Sequence, residues 1–250
     1  MIDFHNHFVG GLRSEAGAKW PMLADRAALE RSLEHVEARV MSTPLEFVPG
    51  VPIQRVNDAM AELVRGNERL VGFASVDAYA GDAAADELMR AVNGLGLRGL
   101  FMESANGDLL PDCAQAQPAL AAAASLGVPI FMHPVPDRAL QNRFGNERFV
   151  RGTINGAAIH AMIGGGLFEK HRGLKVVVTA LALGGLFLAE RIPDGVYVDT
   201  TAMTGAKLRG AMALLGAERI VAGSDWPVVQ ARPEWAEPIA AGNAKALLQL

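Results

Sequence analysis

Short apolar runs of strand length alternate with stretches whose apolar residues recur at helical spacing, and the alternation continues along the whole chain. The runs predict eight strands: Met1 to His5, Ala38 to Ser42, Leu70 to Val76, Leu97 to Glu103, Val128 to His133, Leu174 to Thr179, Gly195 to Thr200 and Arg219 to Gly223. Between them the helical period predicts Asp25 to Glu37, Ile53 to Arg65, Asp82 to Asn93, Ala116 to Ala124, Thr153 to Glu169, Leu186 to Arg191, Gly205 to Leu215 and Asn243 to Leu250. Strands each followed by a helix make a parallel sheet, and eight such pairs predict an α/β fold, a (β/α)8 TIM barrel, as a single domain over 1–250. The rival is an open doubly wound sheet, which carries a glycine-rich phosphate turn after its first strand. Here that turn reads His5-Asn6-His7.

Two long connections break the rhythm, Phe8 to Ala24 after the first strand and Pro134 to Gly152 after the fifth. Both follow strand C-termini, the face of a barrel on which loops build the active site.

Composition narrows the partners. A length of 250 residues is that of one barrel, and a chain half hydrophobic and one-fifth charged is globular. A formal net charge of −4 offers no basic field to a nucleic acid backbone, so a small-molecule substrate is expected. The single cysteine, Cys113, forms no internal disulfide, and no run approaches the roughly 20 apolar residues of a membrane span. The N-terminal residues lack a signal peptide's basic and apolar regions, and the expectation is a soluble cytoplasmic protein with no membrane partner.

Candidate chemistry gathers at strand ends. Side chains two apart on a strand share a face, so His5 and His7 can both turn to the barrel axis. His133 closes the run Val128-Pro129-Ile130-Phe131-Met132, and Asp225 follows Ile220-Val221-Ala222-Gly223-Ser224. Singly, the histidine pair reads as surface residues, His133 as a core histidine and Asp225 as a turn cap. Together they place three imidazoles and a carboxylate at one mouth, a set suited to one divalent metal ion, Zn2+ first and Mn2+ or Fe2+ as alternatives. Arg138, Arg143 and Arg148 in the loop after His133, with Arg13 after the first strand, could clamp an anionic substrate, against the reading of solvated loop arginines. Trp20 and Trp226 could wall an apolar pocket, with Trp226 packed beneath the metal as its alternative. His35, His160 and His171 lie on predicted helices, where structural roles are expected.

The ordered motifs Ile2-Asp3-Phe4-His5-Asn6-His7, Met132-His133-Pro134 and Gly223-Ser224-Asp225-Trp226-Pro227 resemble the amidohydrolase superfamily. Within it they are similar to the branch that includes aminocarboxymuconate-semialdehyde decarboxylase and aromatic-acid decarboxylases. Gly165 to Val177 and Asn243 to Leu248 resemble the branch's helix into the sixth strand and its terminal helix. The resemblance implies that His5, His7, His133 and Asp225 are metal ligands and that the barrel pairs as a homodimer. Some members hold two metals through a carboxylated lysine near the fourth strand; no lysine lies there, which implies one metal.

One departure bears on mechanism. After the sixth strand the family presents a histidine that works as acid or base, whereas this chain reads Val178-Thr179-Ala180-Leu181-Ala182-Leu183-Gly184-Gly185, with Ala180 in its place. Glu103, at the end of Leu100-Phe101-Met102, is the first candidate replacement, against a loop carboxylate or a helix cap. The expectation is hydrolysis of a small anionic or cyclic substrate by a metal-activated water, with Asp225 and Glu103 catalytic and Arg13, Arg138, Arg143 and Trp20 on the substrate. Non-oxidative decarboxylation is the alternative, and a catalytically silent ligand-binding barrel the second.

Overall fold

In a computed structural model describing residues 1–229 and 236–250, the strands are β1 (Ile2–His7), β2 (Ala38–Ser42), β3 (Leu70–Gly72), β4 (Ala74–Ser75), β5 (Leu100–Glu103), β6 (Ile130–His133), β7 (Val176–Val178), β8 (Val196–Asp199) and β9 (Ile220–Val221). All paired neighbours are parallel, in the order β1-β2-β3 and β4 through β9. Phe73 joins β3 to β4: its N–H bonds to Met41 on one side, and the next amide, Ala74, bonds to Gly99 on the other. Phe4 N–H donates to Ala222 and His7 N–H to Trp226, which closes the ring between first and last strands. With β3 and β4 counted as one, this is the expected (β/α)8 barrel.

The helices are α1 (Glu15–Lys19), α2 (Arg26–Ser32), α3 (Ile53–Val64), α4 (Asp82–Met89), α5 (Gln117–Leu126), α6 (Arg138–Phe144), α7 (Glu147–Gly164), α8 (Leu167–Lys170), α9 (Leu183–Phe187), α10 (Gly205–Leu215) and α11 (Gly242–Leu248). Several boundaries differ from the pattern's expectation, for local reasons. The helix expected from Thr153 begins at Glu147, because Asn146 caps it by accepting the Phe149 N–H. Asp137 likewise caps α6, so the long connection after β6 is largely helical. The helix expected over Leu186 to Arg191 occupies Leu183–Phe187 instead, following a tight turn over Ala180–Ala182. Gly156 of α7 meets Gly185 of α9 backbone to backbone; a Cβ on Gly185 would stand 2.2 Å from the Gly156 carbonyl oxygen. That approach seats α7 beside the C-terminal end of β7. No helix among the described residues is long and apolar enough to cross a membrane.

The barrel interior holds two layers. Below, Phe4, Phe73, Phe101 and Phe131 fill the axis with Ile2, Val40, Val71, Val177 and Val221, and α11 plugs the floor with Ala244, Leu247 and Leu248. Phe4 meets Phe73 and Phe131 edge to face, at 5.6 and 6.1 Å between ring centroids. Above them the inward positions become polar.

Candidate metal centre

The change of layer on β1 depends on a bulge. Ile2 and Asp3 pair with Ala38 and Arg39, but the next pairs are Asn6 with Met41 and His7 with Ser42, so three residues of β1 advance against two of β2. Strict alternation from Phe4 would bring Asn6 inward and send His5 and His7 out. The extra residue reverses the parity, and Phe4, His5 and His7 all project into the barrel. Side chains satisfy the backbone freed by the bulge. The Asp3 carboxylate accepts the His5 N–H, the Ser224 N–H at 2.9 Å and the Ser224 hydroxyl, and pairs with Arg39. Asn6 donates to the Asp3 and Val40 carbonyls at 2.8 and 3.1 Å. Asn6 therefore serves the strand while the histidines on either side serve the cavity.

His133 continues the inward series of β6 two residues beyond Phe131. Its ring lies 4.9 Å from that of His7 and 5.5 Å from that of His5. One nitrogen from each of these three buried imidazoles falls within 4.8 Å of the others. Asp225 joins them through a left-handed turn, φ +56°, a conformation an aspartate tolerates better than most residues. Its N–H donates to the His5 carbonyl at 2.9 Å, and Oδ1 lies 3.5 Å from His5 Nε2 and 3.4 Å from His7 Nε2.

Hydrogen bonds behind the cluster fix what it presents. The Ser42 hydroxyl donates to the Asn6 carbonyl, so it accepts from His7 Nδ1–H at 3.1 Å and leaves a lone pair on His7 Nε2. His5 Nδ1 faces the Asp199 carboxylate at 2.7 Å, which leaves its lone pair on Nε2 as well. The two Nε2 atoms are 3.0 Å apart. Two lone pairs and a carboxylate oxygen turned on one another repel unless a cation lies among them, and His133 Nδ1 is buried with no hydrogen-bond partner among the described residues. The donor set of His5, His7, His133 and Asp225 thus fits a divalent ion.

Without a cation, a proton competes for the same place. Burial opposes charge on His5, but Asp225 and Asp199 outweigh it and hold His5 above its ordinary value. Burial and the neighbouring charges of His5 and Arg151 push His7 down despite Asp225. His133 is driven well below the usual imidazole range by burial and then by the other two histidines. Burial would raise Asp225; the adjacent His5 and His7 imidazoles hold it low instead.

A cavity of about 350 Å³ opens above the cluster. Trp20, stacked on Phe47 at 5.9 Å, forms one wall, and Leu181 and Val228 contribute apolar surface. Arg148 reaches the cavity. Arg13, Arg138 and Arg143 do not; all three are exposed away from it, Arg143 over the Phe144 ring. The guanidinium that sequence reasoning missed is Arg151, one turn after Glu147 on α7. It bonds Glu46 at 3.0 and 3.2 Å, Glu147 at 2.9 Å and the Pro134 carbonyl at 2.7 Å. An i,i+4 Glu147–Arg151 pair was visible in the sequence, but its reach to Glu46, 105 residues away, was not.

Glu103 also lies elsewhere than expected. It does not line the cavity; its carboxylate accepts the Glu46 N–H at 3.1 Å beneath the turn Leu45–Phe47. Burial, with Glu46 and Asp77 nearby, pushes it up to about 7. Ala180 is buried and contributes its backbone N–H to Asp199. Trp226 packs in the core against Arg39 rather than walling the pocket. His171 Nε2 lies 3.0 Å from Gln117 Oε1, away from the cavity.

A family model described as amidohydrolase matches residues 2–249. Gamma-resorcylate decarboxylase of Rhodococcus jostii (strain RHA1) is 27% identical over 266 residues, covering 86% of this chain and 81% of that protein. Among solved structures, the dihydroxybenzoic acid decarboxylase of Polaromonas sp. JS666, with bound manganese and the inhibitor 2-nitroresorcinol, superposes with a TM-score of 0.83 at 22% identity, covering 99% of this chain and 96% of that one. The 5-carboxyvanillate decarboxylase of Sphingomonas paucimobilis gives 0.82 at 20%, covering 100% and 99%. These relatives overturn the expectation of hydrolysis by a metal-activated water: they are decarboxylases, and the alternative reading is the better one. Zinc is not favoured by these structures, since the Polaromonas enzyme and a 5-carboxyvanillate decarboxylase of Novosphingobium aromaticivorans hold manganese.

Proposed function

We propose, from the premise that this chain belongs to the amidohydrolase family, that it is a metal-dependent, non-oxidative decarboxylase of a small planar carboxylic acid, with manganese as the first candidate ion. The observation that carries the reading is the convergence of His5, His7, His133 and Asp225, with both Nε2 lone pairs turned inward, at the floor of a cavity walled by Trp20 and Phe47. A divalent ion held by those four would supply positive charge for a carboxylate and a neighbouring substrate oxygen.

The protein's own groups divide the remaining work. The Trp20–Phe47 stack offers a flat face to an unsaturated ring, and Leu181 and Val228 exclude water from it. Arg148 places a cation at the rim for a second anionic substituent. Decarboxylation breaks the bond between the ring carbon and its carboxylate, releases carbon dioxide and puts a proton on the vacated carbon. Among the described residues three carboxyl groups line the cavity, those of Glu46, Glu147 and Asp225, and the first two are engaged by Arg151. Asp225 is therefore assigned the proton transfer, and Glu103, held beneath the cavity wall, a structural role.

Protein loaded with Mn2+ and incubated in heavy water with carboxyl-labelled hydroxybenzoic acids should release labelled carbon dioxide and leave one deuterium on the vacated carbon. Metal-loaded protein that does neither across the series would overturn the proposal.

A further inference from the structure

His5 is held from behind by a group that neither its motif nor the ligand set includes. Asp199 ends β8, and its Oδ1 accepts the N–H of Ala180 at 2.8 Å and of Thr201 at 3.1 Å. Its Oδ2 accepts the Thr201 hydroxyl at 2.7 Å and lies 2.7 Å from His5 Nδ1. Those three protons fix the carboxylate as an acceptor toward the imidazole, so His5 Nδ1 must be the donor. The Thr201 hydroxyl, 2.9 Å from the same nitrogen, closes the triangle. Gly223 leaves it room: a Cβ there would stand 3.0 Å from Asp199 Oδ2 and Thr201 Oγ1 and 3.1 Å from His5 Cβ. All three triangle residues are buried.

We infer that Asp199 is a positioning residue that fixes the tautomer and plane of His5, so that the neutral ring presents its Nε2 lone pair to the cation site. Ala180, where the superfamily resemblance implies a histidine, takes part through its backbone N–H, which braces Asp199. The consequence for metal affinity rests on the metal reading above; the tautomer assignment stands in the metal-free protein.

Asp199→Asn separates the two. The amide keeps the volume and an oxygen for the Ala180 and Thr201 N–H groups, but turns an NH2 toward His5. Nδ1 must then accept, and the ring proton moves to Nε2, where it points into the cluster. Nitrogen-15 correlation spectra of the metal-free protein at mildly alkaline pH should show His5 changing from the Nδ1–H to the Nε2–H form. Mn2+ affinity by chelator competition should fall about 10- to 100-fold. Thr201→Val, which spares the Asp199–His5 contact, should shift the His5 Nδ1 proton and weaken Mn2+ only about two- to fivefold, within the usual worth of one hydrogen bond.

A folded Asp199→Asn protein with the Nδ1–H tautomer and wild-type Mn2+ affinity overturns the inference. If Asp199→Asn does not fold, an unchanged His5 proton shift and affinity in Thr201→Val overturns it. If the wild type binds no Mn2+, the metal reading falls and the tautomer spectra alone decide the role of Asp199.

Discussion

Two layers of the same barrel, one residue apart on β1 and two apart on β6, have opposite chemistry. In the lower layer Phe4, Phe73, Phe101 and Phe131 pack on apolar residues and one another, only Phe101 and Phe131 touching the histidine rings above, and Gly99 makes the space for Phe73, whose ring a Cβ there would approach to 2.4 Å. In the upper layer His5, His7, His133 and Asp199 are about as buried, with Asp225 half-buried beside them, yet hydrogen bonds aim the His5 and His7 rings at the cluster. The lower layer gains free energy from burial that needs no orientation, roughly 1.5–3 kcal/mol for each large side chain. The upper layer gains little from burial, and its lone pairs repel one another without a cation. Stability and function are thus stacked along the same strands rather than placed on different elements.

The comparison can be broken from either side. The largest effect expected is from Phe73→Ala, which should cost about 3–5 kcal/mol in denaturant unfolding. Its metal affinity, measured well below the melting transition, should stay near wild type. Removing metal acts on the other layer: saturation with Mn2+ at about 1,000 times Kd should stabilise the wild type by about 4 kcal/mol. A chelator should abolish that gain in a thermal melt, and His7→Asn should remove it without a chelator.

Glu103 tests where the polar layer stops. Its folded pKa, about 7, lies above the ordinary value of 4.5, so the fold favours the protonated acid. That contribution is complete below about pH 4.5 and is lost as the pH rises through 7. Glu103→Gln should therefore be the more stable protein above pH 7, by up to about 3 kcal/mol, with the gap closing below pH 4.5. A gap of equal size at both extremes would contradict the assignment. The smallest effect is expected at the exposed arginines: Arg13→Ala, Arg138→Ala and Arg143→Ala should each change stability by less than about 0.5 kcal/mol and leave KM for an aromatic acid unchanged. Arg148→Ala, at the cavity rim, should raise KM.

Much of this organisation was legible because strand ends in a barrel have a fixed meaning. His133 and Asp225 each terminate an apolar run, and the fold brings every such terminus to one face. Asp199 obeys the same rule, after Val196-Tyr197-Val198, and could have been found by applying it to the seventh predicted strand. Arg151 could not, because helical residues near the mouth are chosen by how α7 lies across it, and that depends on the Gly156–Gly185 approach and the Glu46 partner. Glu103 misled for the opposite reason: a carboxylate at a strand lip faces the cavity only if no loop folds over it, and the turn Leu45–Phe47 does.

The sequence alone determined the alternation of strand and helix, the closed barrel, and the residue types available at its mouth, because hydrophobic period and strand-end chemistry are local properties. Only the tertiary structure decided that His5 and His7 share the interior with Phe4, since that parity depends on a bulge measured against β2. It also decided that Asp199 sets the His5 tautomer, that Arg148 and Arg151 reach the cavity while Arg13, Arg138 and Arg143 do not, and that Glu103 is withdrawn from it. Each of those is a contact between residues far apart in the chain, and its sign depends on distances of a few tenths of an ångström that no one-dimensional pattern encodes.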